Sequence, residues 1–503
     1  KHAAIDYNGE NPFATGHLSL EQSGSNTLIK FDADGSSGNH HNQKTIAILE
    51  NVDVSEIIAN NFNPNFPPDG SLAEPLTLHG TEEADKITGG YGHDTISGHG
   101  GDDQIDAQAG SDTVFGGDGN DQIEGNFGDD ELYGEDGHDR LTDDSGSNLL
   151  DGGKGNDYLA AKNAKGNQTL YGRSGDDRLY AIGKTVSLDG GEGNDSLSAN
   201  GWHIENSTGV LKGGKGNDYI DVNHLFNSEV FGGEGNDYIY GYQRIEWSQR
   251  DNPLSTFFDG GSGDDYLRFY DEINFNLWTA GLSNSYNDID LEVPEQYHVD
   301  ITLKGGDGND EISKSGWSTY GKLNLSLSGG AGNDSIRVND YLDFYDKNSS
   351  ILLSGGDGDD KIIFNANAYS KQSEDATVKV QGGSGKDDIG IGSRLRNWFN
   401  VLVNSGSDDD LIRVDGGKSV AITTGTGSDT IVLSTDSYNH STQVTIKDFQ
   451  IGEGGDILDY SALLKHAAID YNGENPFATG HLSLEQSGSN TLIKFDADGS
   501  SGN

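Results

Sequence analysis

The 503-residue sequence has no cysteine, no methionine and only eight prolines. Without cysteine, disulfides play no part in the fold, and the redox compartment cannot be read from the composition. Hydrophobic residues make up 32%, too few for a conventional globular core of this length. No apolar run approaches the ~18 residues of a membrane span, and no signal peptide is visible. With Lys1 where a start would place Met, the chain reads as a section of a longer polypeptide or a processed product. Positive charge is scarce as well: 32 Lys and Arg face 83 Asp and Glu, a net charge of −51. That balance excludes nucleic acid and anionic membrane as partners, since both are polyanions, and it calls for bound cations. Catalytic signatures are also missing. There is no H-E-x-x-H, no G-x-S-x-G and no cysteine nucleophile, so the chain reads as non-enzymatic.

What is abundant is glycine, 74 residues, and its placement is periodic. From Asp85 an aspartate returns every nine residues, at Asp94, Asp103, Asp112, Asp121, Asp130 and Asp139, and Asn148 and Asp157 continue the count. Two residues after each stands an apolar side chain: Ile87, Ile96, Ile105, Val114, Ile123, Leu132, Leu141, Leu150 and Leu159. Ahead of each lies a small or polar turn such as Gly116-Gly117-Asp118-Gly119-Asn120-Asp121. Glycine admits the positive φ of a sharp turn and leaves its carbonyls accessible. Aspartate supplies the hard anionic oxygen that Ca²⁺ prefers. The tripeptide around each apolar residue suffices for a very short strand with one inward side chain. One such unit cannot bury that side chain alone, so units must stack.

The pattern is G-G-x-G-x-D-x-U-x, and on these residues the sequence resembles the RTX (repeats-in-toxin) calcium-binding proteins. The resemblance implies an all-β fold, a parallel β-roll or β-solenoid, with two nonapeptides per turn. A strand lies on each face and a Gly–Asp loop at each edge. Each Ca²⁺ sits between loops of successive turns on one edge, held by the Asp carboxylate and backbone carbonyls. After Asp157 the loop recurs at wider spacings, at Asp177, Asp195, Asp218, Asp237, Asp265, Asp310, Asp334, Asp360, Asp387, Asp410 and Asp429. These are whole turns with additions, the largest between Asp265 and Asp310. All of these aspartates, with Asp85 to Asp139 and Asp157 above, are the metal ligands that the resemblance implies. The carbonyl positions it implies are Gly117, Gly119, Gly153, Gly155, Gly191, Gly193, Gly214, Gly216, Gly233, Gly235, Gly261, Gly263, Gly306, Gly308, Gly330, Gly332, Gly356 and Gly358.

The other edge decays. Its Asp position reads Asp94, Asp112, Asp130, Asn148, Gln168 and Val186 in successive turns, while the inward Ile96, Val114, Leu132, Leu150, Leu170 and Leu188 persist. Fifteen gaps on the intact edge and three on the decaying one set an upper bound of 18 ions. Asn148 and the irregular loop Ser405 to Asp410 favour fewer.

Residues 1–39 recur unchanged as 465–503, an offset of 464. A tandem array with that period would produce the identity. The stretch Val444 to Phe449 followed by Gly455 to Leu464 resembles the terminal capping segment of RTX proteins. Its expected continuation, a D-x-D-G turn (Asp496, Asp498) and then the strand Thr45 to Asp53, is found only by crossing the repeat boundary. The expected organisation is therefore the back part of a cap domain at 1–62 and a linker at 63–76, with Pro64, Pro67, Pro68 and Pro75. The solenoid follows at 77–440, and the front of the next cap at 441–503. Asp32 and Asp34, and their copies, lack the glutamate of an EF-hand and read as turn formers. His79, His93, His99 and His138 lack transition-metal spacing and read as turn residues. Aromatics gather in the later insertions: Trp202, Trp247, Phe257, Phe258, Phe269, Tyr270, Trp278, Trp317, Tyr320, Phe344 and Trp398. They read mainly as pins holding long loops to the solenoid.

The expected function is a calcium-rigidified structural section of a giant secreted adhesin, surface layer or extracellular fibre. Its partners would be further copies of the repeat, with glycans or cell surfaces as further partner classes. The alternatives are the secretion and folding module of an RTX toxin or hydrolase, and a carbohydrate-binding module using the inserted aromatics. The resemblance implies type I secretion of an unfolded chain from a Gram-negative bacterium, followed by folding in extracellular Ca²⁺.

Overall fold

The computed structural model describes residues 11–33, 35, 43–58, 61–62, 68–70, 73–163, 165–202, 204–245, 254–273, 298–320, 322–344, 349–366, 376–392, 399–434, 442–468 and 471–499. The protein is nearly all-β, a parallel β-roll, and it divides into two compact units, Lys1–Val230 and Phe231–Asn503.

In the first unit the roll opens with strand Thr77–His79. Alternate strands from it, through Thr95–Gly100, Thr113–Asp118, Glu131–Asp136 and Asn148–Lys154, join one parallel sheet. Lys86–Thr88, Gln104–Asp106, Gln122–Glu124, Arg140–Asp143 and Tyr158–Lys162 join the other. The register advances by two nonapeptides per turn, pairing Ile96 with Val114, Val114 with Leu132 and Leu132 with Leu150. On the opposite sheet Ile105 pairs with Ile123 and Leu141 with Leu159. All of these side chains are 0–2% exposed, so the core is a thin layer fed by one residue per strand. Farther along, the strands lengthen and a second inward position opens: Arg178–Ile182 buries Leu179 and Ala181, and Tyr219–Asn223 buries Ile220 and Val222.

The second unit carries the same architecture with wider strands. His298–Asp307 and Lys322–Ala331 run to ten residues, and along the first of these Val299, Ile301 and Leu303 alternate inward. This period-2 burial is what a strand packed on one face requires. The sheets continue past residue 440, where the sequence placed the boundary. Strand Gln443–Ile446 pairs with Ser419–Thr426, and Ile457–Asp459 pairs with Thr430–Leu433. The helix Ser461–Ala467 follows and buries Leu463 and Leu464.

The duplicated segment folds alike in both units. Leu18–Ser23 and Asn26–Phe31 form an antiparallel hairpin, and Leu482–Ser487 and Asn490–Phe495 form its copy in the same register. In the first unit Lys44–Leu49 adds a third strand against Asn26–Phe31.

Candidate metal centre

The recurring chemistry of each loop begins with its backbone. At Gly117, Gly119, Gly153, Gly155, Gly191 and Gly193, φ lies between +100° and +139°, and the same holds for the later pairs from Gly214 to Gly358. A Cβ at Gly193 would collide with the carbonyl of Gly175 in the preceding loop, so stacking at this spacing demands glycine twice over. We expect Gly193→Ala to lower stability in saturating calcium by more than ~1 kcal/mol, read from the urea midpoint. An unchanged midpoint would contradict the close approach.

The aspartates stack into a ladder. The N–H of Asp103 donates to Asp121 Oδ1 at 2.8 Å, that of Asp121 to Asp139 at 2.8 Å and that of Asp139 to Asp157 at 2.8 Å. Asp157 donates to Asp177 and Asp177 to Asp195 in the same way, and so does Asp195 to Asp218. In the second unit the ladder runs Asp237, Asp265, Asp310, Asp334, Asp360, Asp387, Asp410 and Asp429 at 2.8–2.9 Å. It survives separations of up to 45 residues, so inserted loops leave the edge undisturbed.

Each bond occupies one carboxylate oxygen. The Oδ2 atoms of Asp103, Asp112, Asp121, Asp130, Asp139, Asp143, Asp157, Asp177 and Asp195 are buried and accept no hydrogen bond, and so are those of Asp265, Asp310, Asp334, Asp360 and Asp387. A buried anionic oxygen without a donor is rare in proteins and implies an ion. Beside it stands a second oxygen. A Cβ on Gly116 would strike both Asp121 Oδ2 and the carbonyl of Gly134, and Gly98, Gly134, Gly190 and Gly260 repeat the arrangement. Carboxylate and carbonyl oxygens therefore converge between successive loops, the donor set that Ca²⁺ takes. The carbonyls are those of the residue at the first motif position, a glycine at Gly116, Gly134, Gly152, Gly190 and Gly213, and Ala107 and Ser405 in two other loops. The sequence points to the second and third glycines of each loop, at motif positions two and four, and passes over this first one, although the recurring Gly-Gly pair carries the signal. Among the described residues no three acidic or imidazole side chains form a compact cluster, because each loop contributes a single register aspartate.

Metal-free, these carboxyls resist ionisation. Burial, reinforced by neighbouring carboxylates, pushes Asp112 and Asp177 up to about 8 and Asp139 and Asp195 to about 7. The backbone N–H bond opposes this but is outweighed. A cation in place of the proton removes the penalty.

The ends of the rows differ. Asp85 Oδ2 accepts from Thr81 N at 2.6 Å, and Asp94 Oδ2 from Gly90 N at 2.5 Å, so at both of these ligand candidates the loop's own N–H groups satisfy the carboxylate. At the far end Asp429 N donates to Asp456 Oδ1 at 3.2 Å, while Asp456 Oδ2 accepts from Gln450 N at 2.7 Å. Asp456, which the sequence assigns to the capping segment, thus closes the ladder. On the second edge Asp94, Asp112, Asp130 and Asn148 stack through the same bond, and Gln168 and Val186 follow in register.

A second ladder went unread in the sequence. The residue before each Asp accepts from its counterpart one turn on: Asp102 from Asn120 N at 2.8 Å, Asn120 from His138 N at 2.9 Å, His138 from Asn156 N at 2.7 Å, and Asn156 from Asp176 N at 3.0 Å. His93 Nδ1 likewise accepts from Ser111 N, and His79 stacks on His99. These histidines therefore brace loops. Asp498 N donates to Asp496 Oδ1 within the D-x-D-G turn; Asp34 lies outside the described residues.

Of the inserted aromatics, Phe258 and Phe269 are core residues packed edge to face, and Tyr270 stacks on Tyr242. Phe257 lies beneath the Lys304 ammonium, and Trp202, 37% exposed, packs on His224. Trp317, Tyr320 and Phe344 lie on strands Glu311–Tyr320 and Tyr341–Phe344. Trp247, Trp278 and Trp398 lie outside the described residues. No described helix is long and apolar enough to cross a membrane.

No curated protein matches the chain. The family described as the RTX calcium-binding nonapeptide repeat (4 copies) matches residues 79–114, 106–141, 133–162, 165–181, 187–201, 226–243 and 326–340. Those segments hold the Gly–Asp loops from Asp85 to Asp195 and those of Asp237 and Asp334, and the chain carries RTX calcium-binding nonapeptide repeats in both of its units.

Proposed function

We propose that the chain is a calcium-stabilised structural repeat of a large secreted protein, an adhesin, surface layer or extracellular fibre of a Gram-negative bacterium. The observation that carries this reading is the recurrence of residues 1–39 as 465–503, folded both times into the same hairpin. A 464-residue unit that begins again in the same register suits an array. The second hairpin also leaves Leu484 and Ile493 61% and 48% exposed, apolar surface that further copies would cover. In this reading the chain performs no reaction. Export precedes folding: with a charge of −51 the calcium-free chain stays unfolded, and extracellular calcium near ~10⁻³ M loads modules of this affinity class.

Immunogold labelling of the producing cells tests the proposal. Label on the outer surface or on released fibres, lost after EGTA washing, is expected. Label confined to the cytoplasm would sink it. An in-frame deletion of one 464-residue unit should shorten the structure or weaken attachment while leaving secreted hydrolytic activities unchanged.

A further inference from the structure

Asp143 stands where the nonapeptide carries its first glycine, at the position of Gly89 and Gly125 in earlier loops of the second edge. It ends strand Arg140–Asp143 and is 1% exposed. Its Oδ1 accepts from Ser145 N at 2.9 Å, while its Oδ2 has no donor. Asp130 is fully buried, its Oδ1 accepts from Asp112 N at 2.7 Å, and its Oδ2 faces the Asp143 carboxyl, with which it shares a hydrogen bond only when one of the two is protonated. Both Oδ2 atoms border the same point, since a Cβ on Gly125 would strike Asp143 Oδ2 and lie 2.8 Å from Asp130 Oδ2. At the ordinary gaps of the roll that point is bordered by one carboxylate and one carbonyl.

The next turn shows why this gap is the last. Asn148 keeps the ladder by accepting from Asp130 N at 3.0 Å, but its amide nitrogen donates to Ser145 O at 2.7 Å. The Gly146 carbonyl takes side-chain amide donors from Asn163 and Gln168. Beyond Asn148 the edge is closed by neutral amides.

We propose that Asp143 is a second carboxylate ligand for a divalent cation held against Asp130, forming a terminal site on the second edge that binds calcium more tightly than the single-carboxylate gaps. The inference rests on the calcium reading of the roll. Two hard anionic oxygens at one point raise affinity through ligand charge, and the same pair without a cation would place two buried like charges in contact.

The test uses the full chain loaded with Ca²⁺ and dialysed against graded EGTA-buffered free calcium, with bound calcium read by atomic emission. The expected result is one ion per chain retained at free calcium about tenfold or more below that which strips the rest. In Asp143→Gly, which restores the repeat's own residue, and in Asp143→Asn, that ion should join the main class, with the β signal in excess calcium preserved. Asp144→Asn, next door and exposed, should keep it. Wild-type calcium leaving in a single class overturns the inference without needing any variant, and it is the outcome expected if the two carboxyls merely share a proton. Retention of the tight ion by Asp143→Gly also overturns it. A chain that binds no calcium overturns the calcium reading itself.

Discussion

Stripping calcium from the chain at pH 7.5 is expected to abolish its β-sheet signal in circular dichroism, and restoring millimolar calcium should return it. The first unit buries nine aspartate oxygens, from Asp103 to Asp195, that have no donor. Leaving a buried polar group unsatisfied costs about 1–3 kcal/mol, more when it is charged. Nine such groups at the lower figure reach the whole stability of an ordinary domain, about 5–15 kcal/mol. The thin apolar layer of Ile96, Val114, Leu132 and their neighbours cannot offset that. Binding energy is therefore folding energy. The pH dependence of the metal-free chain follows from the raised carboxyls. Between about pH 4 and the folded values of about 6 to 8, the folded chain holds protons that the unfolded chain, titrating near 3.8, has released. Stability therefore falls as pH rises through that window. Chain depleted on a chelating resin should retain more β signal at pH 5 than at pH 8, whereas calcium-loaded chain should not lose signal over this range. A β signal indifferent to chelation at pH 7.5 would refute the account.

Much of this was legible because the repeat is strict where physics is strict. The period of nine places Asp103, Asp121 and Asp139 one turn apart, and the Ile, Leu and Val two residues later are the inner layer. The wider spacings after Asp157 did not hide the edge, since Asp265 and Asp310 remain adjacent rungs. The second ladder was hidden by its chemical variety: Asp102, Asn120, His138 and Asn156 all do one job, because any side-chain acceptor suffices. Asp143 was hidden by its position, as a search for aspartates in the aspartate register passes over one that replaces a glycine. The sheets run past residue 440 through Val444 and Leu458, which the sequence assigns to the cap. Their strands pair onto the two sheets in register, with Val444 and Leu458 only half-buried at the end of the stack, and Gly454-Gly455 before Asp456 is the trace of the repeat that marks the second of them.

Lys314→Met should be the most damaging substitution in the second unit. The fourth residue after each ladder aspartate faces the core, as Ala181, Ala199, Phe269, Val338, Phe364 and Ile391 show. After Asp310 that residue is Lys314, paired in register with Phe269 and Val338. Its ammonium is fully buried, 2.7 Å from Asp271 and in contact with Asp340, both equally buried. Burial pulls the lysine towards neutrality, but the two carboxylates outweigh it and hold the charge. Gly316 opens the space, since a Cβ there would strike the Asp271 carbonyl and carboxylate. Replacing lysine by methionine preserves volume yet leaves two carboxylates without their cation, an effect of about 3–5 kcal/mol. Adding Asp271→Asn and Asp340→Asn should recover most of it, because a neutral set removes the stranded charge. Urea midpoints in saturating calcium measure both, with hydrogen exchange locating the loss in strands Tyr266–Ile273 and Glu311–Tyr320. A single substitution costing under about 1 kcal/mol would mean that water or rearrangement relieves the carboxylates. A triple variant no better than the single would assign the damage to packing instead.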